Sequence, residues 1–192
     1  MAVVSLAKGG SVSLSKQDAS LKTLNIGLGW DVSNIAGSVD MDASAFMLNG
    51  VVSNHGKVLD TSGFIFYNNN KSPCGSVVYH GDNRTGAGDG DDETLTIELD
   101  KVPSDVQSIA FSATIHTGQK FNQVKNAFIR CVNAQTNTEL ARFDLSSDAV
   151  DSDAVIFGEV YRDGGEWKFR AIGDSINGGL AAVCGNFGIN AQ

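Results

Sequence analysis

Between Gly81 and Glu93 the chain reads Gly-Asp-Asn-Arg-Thr-Gly-Ala-Gly-Asp-Gly-Asp-Asp-Glu, and no other stretch constrains it as tightly. Asp82, Asp89, Asp91, Asp92 and Glu93 stand beside Asn83 and Thr85, with four glycines and no apolar side chain larger than Ala87. Such a segment has nothing to bury, and its side chains are nearly all hard oxygen donors. Two carboxylates about 4 Å apart repel by roughly 4 kcal/mol at an effective dielectric near 20. Unless the loop spreads into water, a counter-charge is required. A divalent cation is the simplest one, and oxygen donors on a flexible loop suit calcium better than zinc or copper. Runs of acids are usually solvated faces. Here, however, Asp is interleaved with Gly, the run stops abruptly at a strand pattern, and the upstream stretch Asp40-Met41-Asp42-Ala43-Ser44 offers a partner.

The charge of the whole chain points to the same place. Its 192 residues carry 22 acids and 14 bases, a formal charge of −8. The acidic stretch holds five of those acids against Arg84 alone, and with Asp31, Asp40 and Asp42 also set aside the remainder is one charge from neutral. The acidity is therefore local. No basic stripe with interleaved aromatics is present, which argues against a nucleic-acid partner. Cys74, Cys131 and Cys184 are odd in number, widely spaced and free of any Cys-x-x-Cys, so neither a disulfide framework nor a thiolate metal site is expected. The amino-terminal run predicts no signal peptide, and nothing approaches the 18 or more apolar residues of a membrane-spanning helix. The expectation is a cytoplasmic protein without direct membrane insertion.

Between these acids the chain reads as a single domain over residues 1–192, made of short strands. Leu24, Ile26, Leu28 and Trp30 alternate with Asn25, Gly27 and Gly29, the period of a half-buried strand, and the strand runs out at Asp31. Residues 43–48 follow as a strand with Asp40 and Asp42 at its start. Aromatic residues 64–67, then 77–80, 94–99 and 109–115 make further strands. The echo Val-Ser-Leu-Ala-Lys and Val-Ser-Leu-Ser-Lys at the amino terminus reads as a hairpin or a corner. A short helical piece is expected around 119–125, and strands over 127–132 and 139–145. Strands 154–162 and 166–172 are joined by Asp163-Gly164-Gly165, a strong hairpin signal. Ile176, Leu180, Val183, Cys184 and Phe187 fit one amphipathic helix. The fold class is mainly β: an antiparallel β-sandwich with a carboxy-terminal amphipathic helix and short helical turns.

The acids do not match a compact single-loop calcium motif. An EF-hand begun at Asp40 has Ala45 where glycine belongs and Val51 where glutamate belongs, and one begun at Asp89 has no glutamate to close it. One Gly-rich turn over 85–91 resembles a calcium β-helix repeat, but such repeats act in stacks. A composite site remains, formed where two loops converge at one end of a sandwich. Its side chains outnumber the six to eight oxygens of one calcium, so two ions are expected. Paired carboxylates also allow a glycosidase, and calcium occurs in sugar-binding sandwiches, so a calcium-dependent carbohydrate-binding protein or glycosidase is the alternative. Against it, the acids are clustered, whereas a general acid needs an isolated apolar setting. Trp30 and Trp167 lie in alternating strands and are expected to be core. His55, His80 and His116 are scattered and read as structural.

Several longer motifs resemble the TerD family of bacterial tellurite-resistance and stress proteins. They are Val4-Ser5-Leu6-Ala7-Lys8-Gly9-Gly10, Gly27-Leu28-Gly29-Trp30-Asp31, Asp40 through Phe46, Phe66-Tyr67-Asn68-Asn69, Gly81 through Gly86 with Asp91-Asp92-Glu93, Asn126 through Arg130, and Gly165 through Ala171. The resemblance spans nearly the whole chain. It implies a calcium-binding sandwich with no established catalysis, working in the cytoplasm. It also implies partners among other tellurite-resistance proteins, including an integral inner-membrane protein. Asn68 and Gly86 join Asp31, Asp40, Asp42, Asp82, Asn83, Thr85, Asp89, Asp91, Asp92 and Glu93 as the expected metal-binding set.

Overall fold

Alternating apolar residues build two stacked sheets, with helix on one outer face. The structure, a computed structural model, describes residues 3–32, 39–81, 90–145 and 151–190. In chain order the strands are β1 (Val4–Ser5), β2 (Ser11–Ser13), β3 (Thr23–Val32), β4 (Met41–Leu48), β5 (Phe64–Ile65) and β6 (Val77–Tyr79). They continue as β7 (Glu93–Glu98), β8 (Ser108–Ile115), β9 (Val124–Asn133), β10 (Thr138–Asp144), β11 (Ala154–Asp163) and β12 (Glu166–Ile176). The α-helices among the described residues are α1 (Leu14–Gln17) and α2 (Gly179–Asn186), and short 3-10 turns join other strands. Among the described residues one sheet runs β1-β10-β9-β3-β7-β6 and the other β2-β12-β11-β8-β4-β5.

Leu24, Ile26, Leu28 and Trp30 are all buried along β3, as their period requires. They meet Ala45, Met47, Ile109 and Phe111 of the facing sheet in the main core. Residues of opposite parity on the second sheet, Phe46, Leu48, Ala110 and Ile156, form a smaller cluster with Val183, Cys184 and Phe187 of the α2 region. Each such side chain removed from water contributes about 1.5–3 kcal/mol. The β11–β12 hairpin closes through Gly164 and Gly165, both at positive φ, which this tight turn demands.

The structure settles one alternative and corrects several expectations in detail. The amino-terminal echo is a corner: β1 pairs in parallel with β10 in one sheet, and β2 pairs with β12 in the other. The sandwich is therefore antiparallel except at that edge. The aromatic strand stops at Ile65, because Phe66 and Asn69 exchange backbone hydrogen bonds in a turn. Asp42 lies within β4 rather than ahead of it. Finally, α2 is shorter than the apolar spacing suggests: Ile176 ends β12, and left-handed backbone at Gly178 and Gly179 separates strand from helix. The expected helix near 119–125 is a single 3-10 turn over Phe121–Gln123.

Candidate metal centre

Two strand ends carry the acids. In the first sheet β3 ends beside the residues that open β7, and in the second β4 begins beside the end of β8. Asp31 lies just past a β-bulge between Gly29 and Asp31 in the β3–β9 pairing, and it is exposed. Bulges re-aim side chains. Here the Asn126 amide donates to Asp31 Oδ2 at 2.6 Å from a residue held at φ 52°.

Asp92 is fixed on both its backbone and its side chain. Its N–H donates to the Leu28 carbonyl at 2.8 Å, and its Oδ2 accepts the Trp30 N–H at 2.8 Å. Burial pushes the Asp92 carboxyl above the ordinary carboxylate range. The Trp30 N–H opposes that shift, and the nearby negative charges of Asp31 and Asp91 add to it. Asp91 turns over the first sheet's outer face. Arg130 Nε and Nη2 reach its two oxygens at 2.7 and 3.1 Å, while Arg130 Nη1 reaches Glu139 at 2.9 Å. A Cβ on Gly27 would stand 2.1 Å from the Asp91 carboxylate, so this contact depends on glycine.

Glu93 points the other way, between the sheets, and is 1% exposed. Its Oε1 accepts the Tyr79 hydroxyl at 2.8 Å and its Oε2 accepts the Ala43 N–H at 2.5 Å. That bond joins the two acidic stretches directly, since Ala43 follows Asp42. Asp42 itself meets His116 Nε2 at 2.6 Å. Asp40 accepts the His116 N–H on its carbonyl at 3.0 Å and donates its own N–H to Thr117 Oγ1 at 3.2 Å. Asp40 Oδ1 is buried and has no hydrogen-bond partner among the described residues. Asn68 is exposed in the Phe66–Asn69 turn, and its neighbour Tyr67 meets the His116 ring edge-on at 6.5 Å between centroids.

The expected set thus divides. Asp31, Asp42, Asp91, Asp92 and Glu93 each meet a protein side chain or N–H, whereas Asp40 Oδ1 meets none among the described residues. Asp82, Asn83, Thr85, Gly86 and Asp89 lie outside the described residues. Among the described residues no group of three His, Cys, Asp or Glu side chains is close enough to hold an ion alone. The donors nonetheless fit calcium in kind: they are all oxygens, and one buried carboxylate oxygen lacks a donor among the described residues. Leaving such an atom unpaired costs about 1–3 kcal/mol, more for a charged group.

Sequence reading did not foresee Arg130, His116, Tyr79 or Asn126 as partners of these acids. Arg130 and Asn126 fall inside a quoted motif, but only the β3–β9 register, which sets Gly27 opposite Arg130, brings the guanidinium to Asp91. The expected core role of Trp30 holds, for it is 3% exposed. Trp167 is half-buried beneath the Arg162 guanidinium. His80 is exposed and bonds Thr96 at 2.7 Å.

A two-sheet sandwich with an oxygen-rich acidic rim at one end is the class these observations define. The chain belongs to the TerD family: the model of the TerD domain matches residues 1–187. It is 55% identical over 194 residues to the tellurium resistance protein TerD of Serratia marcescens, covering 98% of this chain and 99% of that one. It is 45% identical over 192 residues to general stress protein 16U of Bacillus subtilis, covering 97% of each. A crystal structure of a TerD homologue from Streptomyces coelicolor superposes with a TM-score of 0.65 at 21% identity, over 84% of this chain and 94% of that one, and so shares the fold. Among the described residues no helix is long and apolar enough to cross a membrane.

Proposed function

We propose that this chain is a calcium-binding, non-catalytic stress-response module of the tellurite-resistance type, holding two Ca2+ ions in its acidic loops and acting within protein assemblies. The observation that carries the reading is the buried, unpartnered Oδ1 of Asp40, on a stretch tied to Asp92 and Glu93 through the Glu93–Ala43 hydrogen bond. Asp31, Asp40 and Asp92 would supply carboxylate oxygens, joined by Asn68 and by Asp82, Asn83, Thr85, Gly86 and Asp89. Asp42, Asp91 and Glu93 would share their remaining lone pairs or hold the loops in position. Bound calcium supplies positive charge where the chain concentrates its acids.

Family membership supports the stress-response part of the reading, since its relatives are named for tellurium resistance and general stress. Partners in this reading are other tellurite-resistance proteins, including an integral inner-membrane protein that the cytoplasmic module meets peripherally. A rim relieved of its charge meets a partner that the acidic rim repels. Hydrogen exchange with calcium and with chelator tests the coupling. The amides of Asp40–Ala43 and Asp91–Glu93 should gain protection with calcium while those of β8 barely change. Equal protection in both conditions overturns the switch. Affinity capture from cells, with and without chelator, should recover a tellurite-resistance partner only with calcium.

A further inference from the structure

The outer face of the second sheet carries a cavity of about 470 Å3 that shares no residue with the acidic rim. Its floor is apolar, with Ile156, Ile172 and Phe187, and its wall holds Lys8, Glu159 and Arg170. Ligand sites of small molecules have this volume and this mixture of apolar floor with few polar groups.

The cavity is built rather than left over. Residues 49–57 cross its edge as a closed flap: the Asn49 N–H meets the Lys57 carbonyl at 2.9 Å and the Gly56 N–H meets Val51 at 3.1 Å. A Cβ on Gly56 would lie 2.2 Å from the Gly50 carbonyl oxygen, so the closure admits only glycine there. The Val58 N–H and Lys57 Nζ tie the flap to the end of α2 through Phe187 and Asn186. From beneath, Glu159, fully buried, accepts the Val52 N–H at 2.9 Å. Burial raises the Glu159 carboxyl, against the Val52 N–H and the Arg170 charge. A carboxylate in so dry a place needs its partners.

Arg170 is anchored on one side only. Its Nη1 donates to Glu159 Oε1 and to Ser53 Oγ, each at 3.2 Å, and its guanidinium stacks on Tyr161 at 4.4 Å. Nε and Nη2 have no partner among the described residues. Those two N–H groups form the fork that matches a carboxylate with two parallel hydrogen bonds. We propose that this cavity binds a small monocarboxylate with a compact apolar body, its carboxylate on the Nε–Nη2 edge of Arg170 and its body on Ile156, Ile172 and Phe187. Lys8, at the mouth, adds a second cation. Lys8 and Arg170 are balanced by Asp174 and Glu159, so the fork and the apolar floor set the selectivity, not the net field.

Titration of isotope-labelled protein with isocaproate, followed by amide NMR, tests this. The expected result is a saturable shift of the amides of Ser53, His55, Gly56 and Ala171 at millimolar probe. Acetate, which lacks the apolar body, and isocaproamide, which lacks the charge, should give none. Arg170→Lys keeps the charge but loses the fork, and should weaken isocaproate about tenfold, with a lower melting midpoint because Glu159 and Tyr161 lose the guanidinium. Lys8→Gln, exposed at the mouth, should weaken it several-fold and gives a second reading if Arg170→Lys fails to fold. An absent or non-saturating shift overturns the proposal, as does equal binding of the amide or undiminished binding in both variants. None of these outcomes depends on calcium, so the test stands apart from that of the acidic rim.

Discussion

Arg130 holds both oxygens of Asp91 directly over the bare Cα of Gly27, so a cation supplied by β9 neutralises one acid of the loop before any ion is considered. The missing side chain is what makes room. Gly27→Ala should force Asp91 off Arg130 and cost about 1–3 kcal/mol, the range for overpacking a fitted site. Urea unfolding would show it as a lower midpoint with an unchanged slope. A midpoint equal to the parent's would mean that the carboxylate is not seated there.

Glu93 acts as a strut between the sheets. Tyr79→Phe removes the hydroxyl that donates to Glu93 Oε1, weakening the hydrogen bonding of a buried carboxylate. The expected loss is about 1.5–3 kcal/mol, as for bonds to charged groups. Thermal melts of Tyr79→Phe, Glu93→Gln and the double variant would give a coupling energy. Strict additivity would contradict the Tyr79–Glu93 hydrogen bond that steadies the strut.

At the other end of β11, Asp153 caps α2. Its Oδ1 accepts the N–H groups of Gly178 and Gly179 at 2.9 and 2.8 Å, and its Oδ2 meets Lys120 at 3.2 Å. Burial raises its pKa, but the Gly179 N–H, Lys120 and the Gly178 N–H outweigh burial and leave it lowered. A carboxylate lowered by folding adds stability that is complete above its unfolded value, about 3.9, and is lost as pH falls through the folded value. Asp153→Asn should therefore lose stability at neutral pH and converge on the parent as pH falls below the lowered folded value. A difference that stays constant with pH would show that charge is not involved.

Much of the sandwich was legible because its signals are local. The period of two along β3, and the Asp163-Gly164-Gly165 turn, each need only neighbouring residues. The acids were legible as a group for the same reason. What sequence did not yield is which donor each acid meets. Arg130 reaches Asp91 across 39 positions and His116 reaches Asp42 across 74, through strand registers that no local pattern encodes. The start of α2 escaped because Gly178 and Gly179 break the apolar spacing that runs from Ile176. The division of Val4–Ser5 and Ser11–Ser13 between sheets is likewise a tertiary choice, made by the edges of β10 and β12.

Stability should depend on calcium if the rim binds it only when folded. The gain is RT ln(1 + [L]/Kd), about 2.7 kcal/mol at a hundredfold excess over Kd. Asp40→Asn, at the carboxylate with the unpartnered buried oxygen, should lose most of the shift between chelator and calcium. Asp105→Ala, exposed and just ahead of β8 at the end of that strand away from the rim, should keep it. Equal shifts in the two variants would remove Asp40 from the site.

Calorimetric titration of calcium into chelator-treated protein bears on the central claim most directly. The expected result is a saturable heat corresponding to two ions per chain, with magnesium at the same concentration giving far less, because its strict octahedron uses a flexible rim poorly. No heat with calcium at millimolar concentration would contradict the claim.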